Sequence, residues 1–329
     1  MGVRSQKRGF TLIELMIAIV LGMLVMSAGY MVFQGSNRAT REQSQDNRMQ
    51  DNARVAMDVL ARNFRRAGFL VNFTSYPVGQ AVDTMTTKIT TSNSAAAPDE
   101  VTILGGTLST GGTISTSRTL LRSADRGSST LVLTDVSGIT VGSVIGVGLT
   151  YSGVVTVVNA GSRTVTLNTT NPTGATNMSY PGVFLQDGVT PSNQTPEPVR
   201  LLTRTRYFID SATNPAHPVL QQTTQGTTEP IAEDIEDLQI AYGVDRNNNR
   251  IIEAGEWTFT PTANEIDKIR LVRVTLVART ANPDPLLRNV AQTIPFIEDR
   301  PQRIVNDGYR RYILTRIIKT KNLDAIFTL

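Results

Sequence analysis

Between Phe10 and Phe33 the chain is apolar except for Thr11, Glu14, Ser27 and small glycines. As a helix rising 1.5 Å per residue, this run spans about 36 Å, enough to cross a bilayer. Arg4, Lys7 and Arg8 lie just before it, so the leader is expected to stay cytoplasmic and the bulk of the chain to lie outside. Glu14 is the exception to the pattern. A carboxylate inside such a run costs a few kcal/mol unless it finds a partner, so its presence calls for one.

An ordinary secretory signal places its cleavage site after a shorter apolar region. Here the candidate bond, Gly9-Phe10, comes before the run. The stretch Lys7-Arg8-Gly9-Phe10-Thr11-Leu12-Ile13-Glu14-Leu15 resembles the class III leader of type IV pilins and pseudopilins. The resemblance implies cleavage after Gly9 by prepilin peptidase and N-methylation of the new terminus on Phe10. It also gives Glu14 a partner: the amine on Phe10 of a neighbouring subunit. In a low-dielectric bundle such a pair sets register more than it adds bulk stability. A plain, uncut membrane anchor is the bland alternative.

No proline occurs between Phe10 and Tyr76, and Met49, Ala53, Ala56, Leu60, Phe64 and Ala67 recur at spacings of three and four. The pattern predicts one helix over residues 10–68, with Gly68 as its C-terminal stop. Its first half, residues 10–36, is apolar all round and reads as a membrane or filament-core segment. Its second half, residues 37–68, has one apolar face. That face fits packing against a head, with a coiled-coil stalk as the other reading.

Residues 69–329 read as a β-rich head. Strand signals fall at Val101–Leu104, Thr130–Thr134, Ser143–Val147, Gly153–Asn159, Arg163–Asn168 and Gly182–Gln186. The closely spaced signals suggest a small β module inserted at 118–188. Residues 187–199 form a Pro/Ser/Thr/Asn-rich linker, after which strands are expected at Arg200–Ile209, Val219–Gln222, Ile231–Val244, Lys268–Arg279 and Tyr309–Thr320. Lys268–Arg279 is the clearest, with Val272, Val274, Leu276 and Ala278 on one face. The helix end Arg65–Phe69, the run Asp234–Asp245 and the strand Val272–Arg279 resemble PilW-type minor pilins in their order.

The resemblance implies an α+β, pilin-like fold: a long N-terminal helix packed on an antiparallel sheet head. It implies a structural minor pilin that helps to initiate or cap a type IV pilus. Its partners would be prepilin peptidase, other minor pilins, the major pilin and the inner-membrane assembly platform. The location would be the inner membrane, then the pilus at the cell surface. A minor pseudopilin of a type II secretion system is the alternative. PilW-type chains often carry cysteines after the helix, whereas this one has none, so no disulfide transfers.

Catalytic groups are sparse. The absence of cysteine excludes thiol chemistry and Cys-ligated zinc, and His217 is the single histidine, read as a surface residue. No phosphate-binding, hydrolase or zincin motif occurs, so the chain is not expected to be an enzyme. Three of the positive charges behind the formal net +4 sit in the leader. The late basic residues Arg300, Arg303, Arg310, Arg311, Arg316, Lys319 and Lys321 are diluted by acidic neighbours, which argues against a nucleic-acid partner.

One stretch has metal-ligand spacing. Asp245 to Glu256 reads DRNNNRIIEAGE, with oxygen side chains at positions 1, 3, 5, 9 and 12 of a twelve-residue loop. Asp245, Asn247, Asn249 and Glu256 would ligate calcium through side chains, Ile251 through its carbonyl, and Glu253 through water. Arg250 stands where glycine is usual, so low affinity is expected. An Asx-rich turn without metal is the other reading.

Overall fold

The computed structural model describes residues 12–68, 89–106, 118–121, 128–147, 151–168, 199–224, 226–321 and 323. One helix, α1 (Leu12–Arg66), precedes fifteen strands among these residues. Residues up to Arg48 form one compact unit and residues from Met49 onward form another.

Within the first unit, α1 is exposed and apolar from Leu12 to Phe33. Beyond it the helix turns polar, and Arg38 pairs with Glu42 one turn on at 2.7 Å.

In the second unit α1 presents the predicted stripe. Met49, Ala53, Ala56, Met57, Leu60, Ala61 and Phe64 are buried, whereas Val55 is 52% exposed. Three of the stripe positions are alanines, which let the helix backbone come close to the sheet. The helix stops at Gly68, which takes φ +74 and donates its N–H to Leu104 O at 2.9 Å.

The strands are β1 (Ile89–Ser92), β2 (Glu100–Gly106), β3 (Thr130–Val132), β4 (Val144–Val147), β5 (Tyr151–Asn159), β6 (Thr164–Leu167), β7 (Val199–Asp210), β8 (Val219–Thr224), β9 (Thr227–Glu233), β10 (Ile235–Val244), β11 (Trp257–Thr258), β12 (Ile269–Arg279), β13 (Arg288–Ile294), β14 (Arg303–Asp307) and β15 (Arg311–Lys319). All pair antiparallel. β1 to β9 make one sheet ordered β1-β2-β7-β4-β5-β6-β3, with the β8–β9 hairpin joined to β7. A second sheet runs β11-β10-β12-β15, and β13–β14 form a separate hairpin. β3 to β6 enclose their own apolar cluster around Leu131, Ile145, Val155 and Val165. They are continuous with the larger sheet through β4 on β7, with Val144 opposite Leu202.

The main core gathers the α1 stripe with alternate residues of the second sheet: Leu238, Ile240, Tyr242 and Val244 of β10, and Val272, Val274, Leu276 and Ala278 of β12. Ile89, Val101, Ile103 and Tyr207 of the first sheet complete it. The fold is therefore α+β, with one long helix and an antiparallel β head. The segment expected as a single strand over Ile231–Val244 is divided. Asp234, at φ +59, ends β9 and starts β10. Such a φ costs an ordinary side chain energy, although Asp tolerates it better than most.

Asp99 ties the segment before β2 to the edge of β10. Its N–H donates to Leu238 O at 2.8 Å, and its carboxylate accepts the N–H groups of Ser94 at 2.9 Å and Ile240 at 2.8 Å. Burial raises this carboxyl to about 6, outweighing those two N–H groups. A pKa above the ordinary carboxylate range means that the native state holds the proton more tightly. The associated stability is complete in acid and is lost as pH rises through about 6. Asp99→Asn should therefore flatten the fall in stability that Asp99 causes between about pH 4 and 6, measured by urea unfolding at several pH values.

Candidate functional site

Gly9 and Phe10 lie outside the described residues. Glu14 lies in the first turn of α1, where the helix dipole favours a negative charge. Around it Leu12, Ile13, Leu15, Met16 and Ile17 are each more than half exposed. The helix is long and apolar enough to cross a membrane, and its most apolar window is entirely exposed. A surface of this kind has to be covered by lipid or by other apolar helices. Ser27 Oγ donates to Leu24 O at 2.9 Å, which satisfies the hydroxyl within the helix.

The loop Asp245–Glu256 connects β10 to β11 by way of a short 3-10 turn at Ala254–Glu256. Asp245 is fully buried at the end of β10. Its Oδ2 accepts the N–H of Arg250 at 3.0 Å and pairs with the Arg270 guanidinium from β12. Burial works to raise this carboxyl, but Arg270 and the Arg250 N–H together hold it below the usual range. Asn247 Oδ1 accepts the N–H of Asn249 at 2.9 Å, and Asn249 Oδ1 accepts that of Ile251 at 2.7 Å.

Glu256 is also buried, and it closes the loop. Its Oε1 accepts the N–H of Arg246 at 3.0 Å, and its Oε2 accepts that of Glu253 at 3.1 Å in a capping box. Arg250 takes φ +66, supplying with a side chain the left-handed turn that glycine would make freely. Ile252 packs on Gly243, where an added Cβ would come within 2.9 Å of Ile252 Cγ2. The six candidate ligand residues thus share one closed loop. Among the described residues, no three His, Cys, Asp or Glu side chains gather to hold a metal on their own.

His217 does have a carboxylate partner. Its Nδ1 lies 2.8 Å from Asp234 Oδ1, at the same left-handed residue that separates β9 from β10. Nothing in the local sequence announces this contact, because Asp234 is seventeen residues away.

Most of the late cations are spoken for. Arg300 pairs with Asp237 at 2.5 Å, Arg303 with Glu236 at 3.1 Å and Asp237 at 3.2 Å, and Arg310 with Asp284 at 2.8 Å. Arg311 pairs with Glu236 at 2.6 Å and also with Asp307, and Arg316 reaches Asp58 of α1 at 2.7 Å. Arg273–Glu298 at 2.6 Å, with the Arg300, Arg303 and Arg311–Asp307 pairs, fastens the β13–β14 hairpin and its turn to the second sheet.

Residues 199–322 match the family model of type IV pilus-assembly protein W, and residues 4–30 match the prokaryotic N-terminal methylation motif. Over residues 199–322 the chain is therefore similar to PilW-type proteins, and at its N-terminal end to N-terminally methylated ones. The PilW match runs from β7 to just past β15 and so includes the Asp245–Glu256 loop. A type IV-like pilin from Thermus thermophilus is similar among solved structures, at 13% identity and a TM-score of 0.37, covering 84% of this chain and 100% of that one. No curated protein matched the chain.

Proposed function

We propose that this PilW-type chain is a minor subunit of a type IV pilus, acting structurally in initiating or capping the fibre. The observation that carries the proposal is the conjunction of a prepilin-type methylation motif at residues 4–30 with a PilW match at 199–322. In this reading prepilin peptidase cuts after Gly9 and Phe10 becomes the methylated N-terminus. The apolar part of α1 anchors the chain in the inner membrane and then passes into the fibre core. Glu14 docks on the terminal amine of a neighbouring pilin. The exposed apolar helix gives that exchange a physical basis, since other pilin helices can replace lipid around it without exposing it to water.

A minor pseudopilin of a type II secretion system would use the same leader and helix. The PilW match over the head favours the pilus. The partners in this proposal are other minor pilins, the major pilin and the assembly platform. The test is recovery of the protein in the sheared-pilus fraction, together with loss of surface pili on deletion and their return on complementation. Normal piliation in the deletion strain, with type II secretion lost, would transfer the chain to the other machine.

A further inference from the structure

We propose that the loop Asp245–Glu256 is a low-affinity calcium site in the head. The spacing of oxygen residues is one observation, and the second is an orphaned atom. Asp245 is 0% exposed, and its Oδ1 has no hydrogen-bond donor, although Oδ2 of the same carboxylate takes both Arg250 N–H and Arg270. A buried carboxylate oxygen without a partner is costly, and the great majority of such atoms in proteins are satisfied. The Oδ2 contact with Arg250 N–H turns the carboxylate across the loop. A cation on Oδ1 would supply the missing partner while leaving the Arg270 pair intact.

The rest of the donor set consists of hard oxygens. The Asn247 and Asn249 side-chain oxygens each accept a single N–H and keep a second lone pair. Glu256 is buried with its carboxylate turned to loop N–H groups, and Ile251 contributes a carbonyl. Glu253, which accepts Asn249 Nδ2 at 3.2 Å, stands at the water-mediated position. With no nitrogen or sulfur ligand at these positions, calcium suits the site and zinc does not.

Local charge sets the strength. Asp245, Glu253 and Glu256 share the loop with Arg246 and Arg250, and Arg270 adjoins it. Arg246 is drawn aside to Glu265 at 2.7 Å, which relieves part of the repulsion. The balance places affinity in the range of weak extracellular sites, with Kd on the order of 10⁻⁴–10⁻³ M.

The loop carries its own reporter. Trp257, the single tryptophan of the chain, follows Glu256 directly. With the full-length protein in detergent, excitation of Trp257 should sensitise emission from bound Tb³⁺, and Ca²⁺ should displace it with a midpoint of about a millimolar. Asn247→Ala, an exposed position that should leave folding intact, and Glu256→Gln should each weaken Ca²⁺ binding about tenfold or more. Asn214→Ala, in a separate turn, should leave it unchanged. Absence of sensitised emission, emission that Ca²⁺ fails to displace at about 10 mM, or unchanged affinity in Asn247→Ala would overturn the proposal.

Discussion

Phe64→Ala is expected to destabilise the head by about 3–5 kcal/mol, read as a lower urea midpoint with an unchanged slope. Phe64 is 0% exposed and lies in the cluster that joins the α1 stripe to both sheets. Removing the ring loses its transfer free energy and leaves a cavity between elements fixed by backbone pairing, so little collapse can offset it. Val55→Ala on the outward side of the same helix should stay within about 0.5 kcal/mol, apart from its small gain in helix propensity. Equal losses at the two positions would mean that the stripe does not face the core.

Glu14→Ala should lower the amount of protein recovered in sheared pili by about tenfold or more, if one good low-dielectric ion pair is what fixes its register. Anchoring should not suffer, because the change makes α1 more apolar. Cleavage at Gly9-Phe10 should also continue, since that bond lies outside the altered turn. The expected phenotype is therefore processed protein that accumulates in the inner membrane. Unchanged incorporation into pili would remove Glu14 from its proposed role.

Much of the architecture was legible in the sequence because it rests on local periodicity. The α1 stripe from Met49 to Ala67 and the inward face of β12 follow directly from spacings of three to four and of two. The hairpin β13–β14 was missed because its residues, such as Arg288, Asn289, Gln292 and Arg303, do not alternate as an apolar strand does. It is held by ion pairs to Glu236 and Asp237 and by a small apolar contact among Val277, Ile294 and Ile297. Those partners lie far apart in the chain.

The division of Ile231–Val244 escaped for a related reason. Apolar residues recur on both sides of Asp234, at Ile231 and Ile235, and the left-handed backbone at Asp234 is what separates the two strands. In the candidate loop, Asp245 through Glu256 could be read from spacing, whereas Arg270 could not. Its approach depends on β12 pairing beside β10, with Val244 opposite Ile269. The Asp99 link between the segment before β2 and β10 is likewise a product of topology.

The proposed function requires first that the chain be processed as a prepilin and built into a fibre. Its most direct test is the mass of the N-terminal peptide of the protein recovered from sheared pili. The expected chain begins at Phe10, carries one methyl group on its amine and lacks residues 1–9. A chain in that fraction that still carries its leader, or a processed chain that never leaves the membrane fraction of piliated cells, would contradict it.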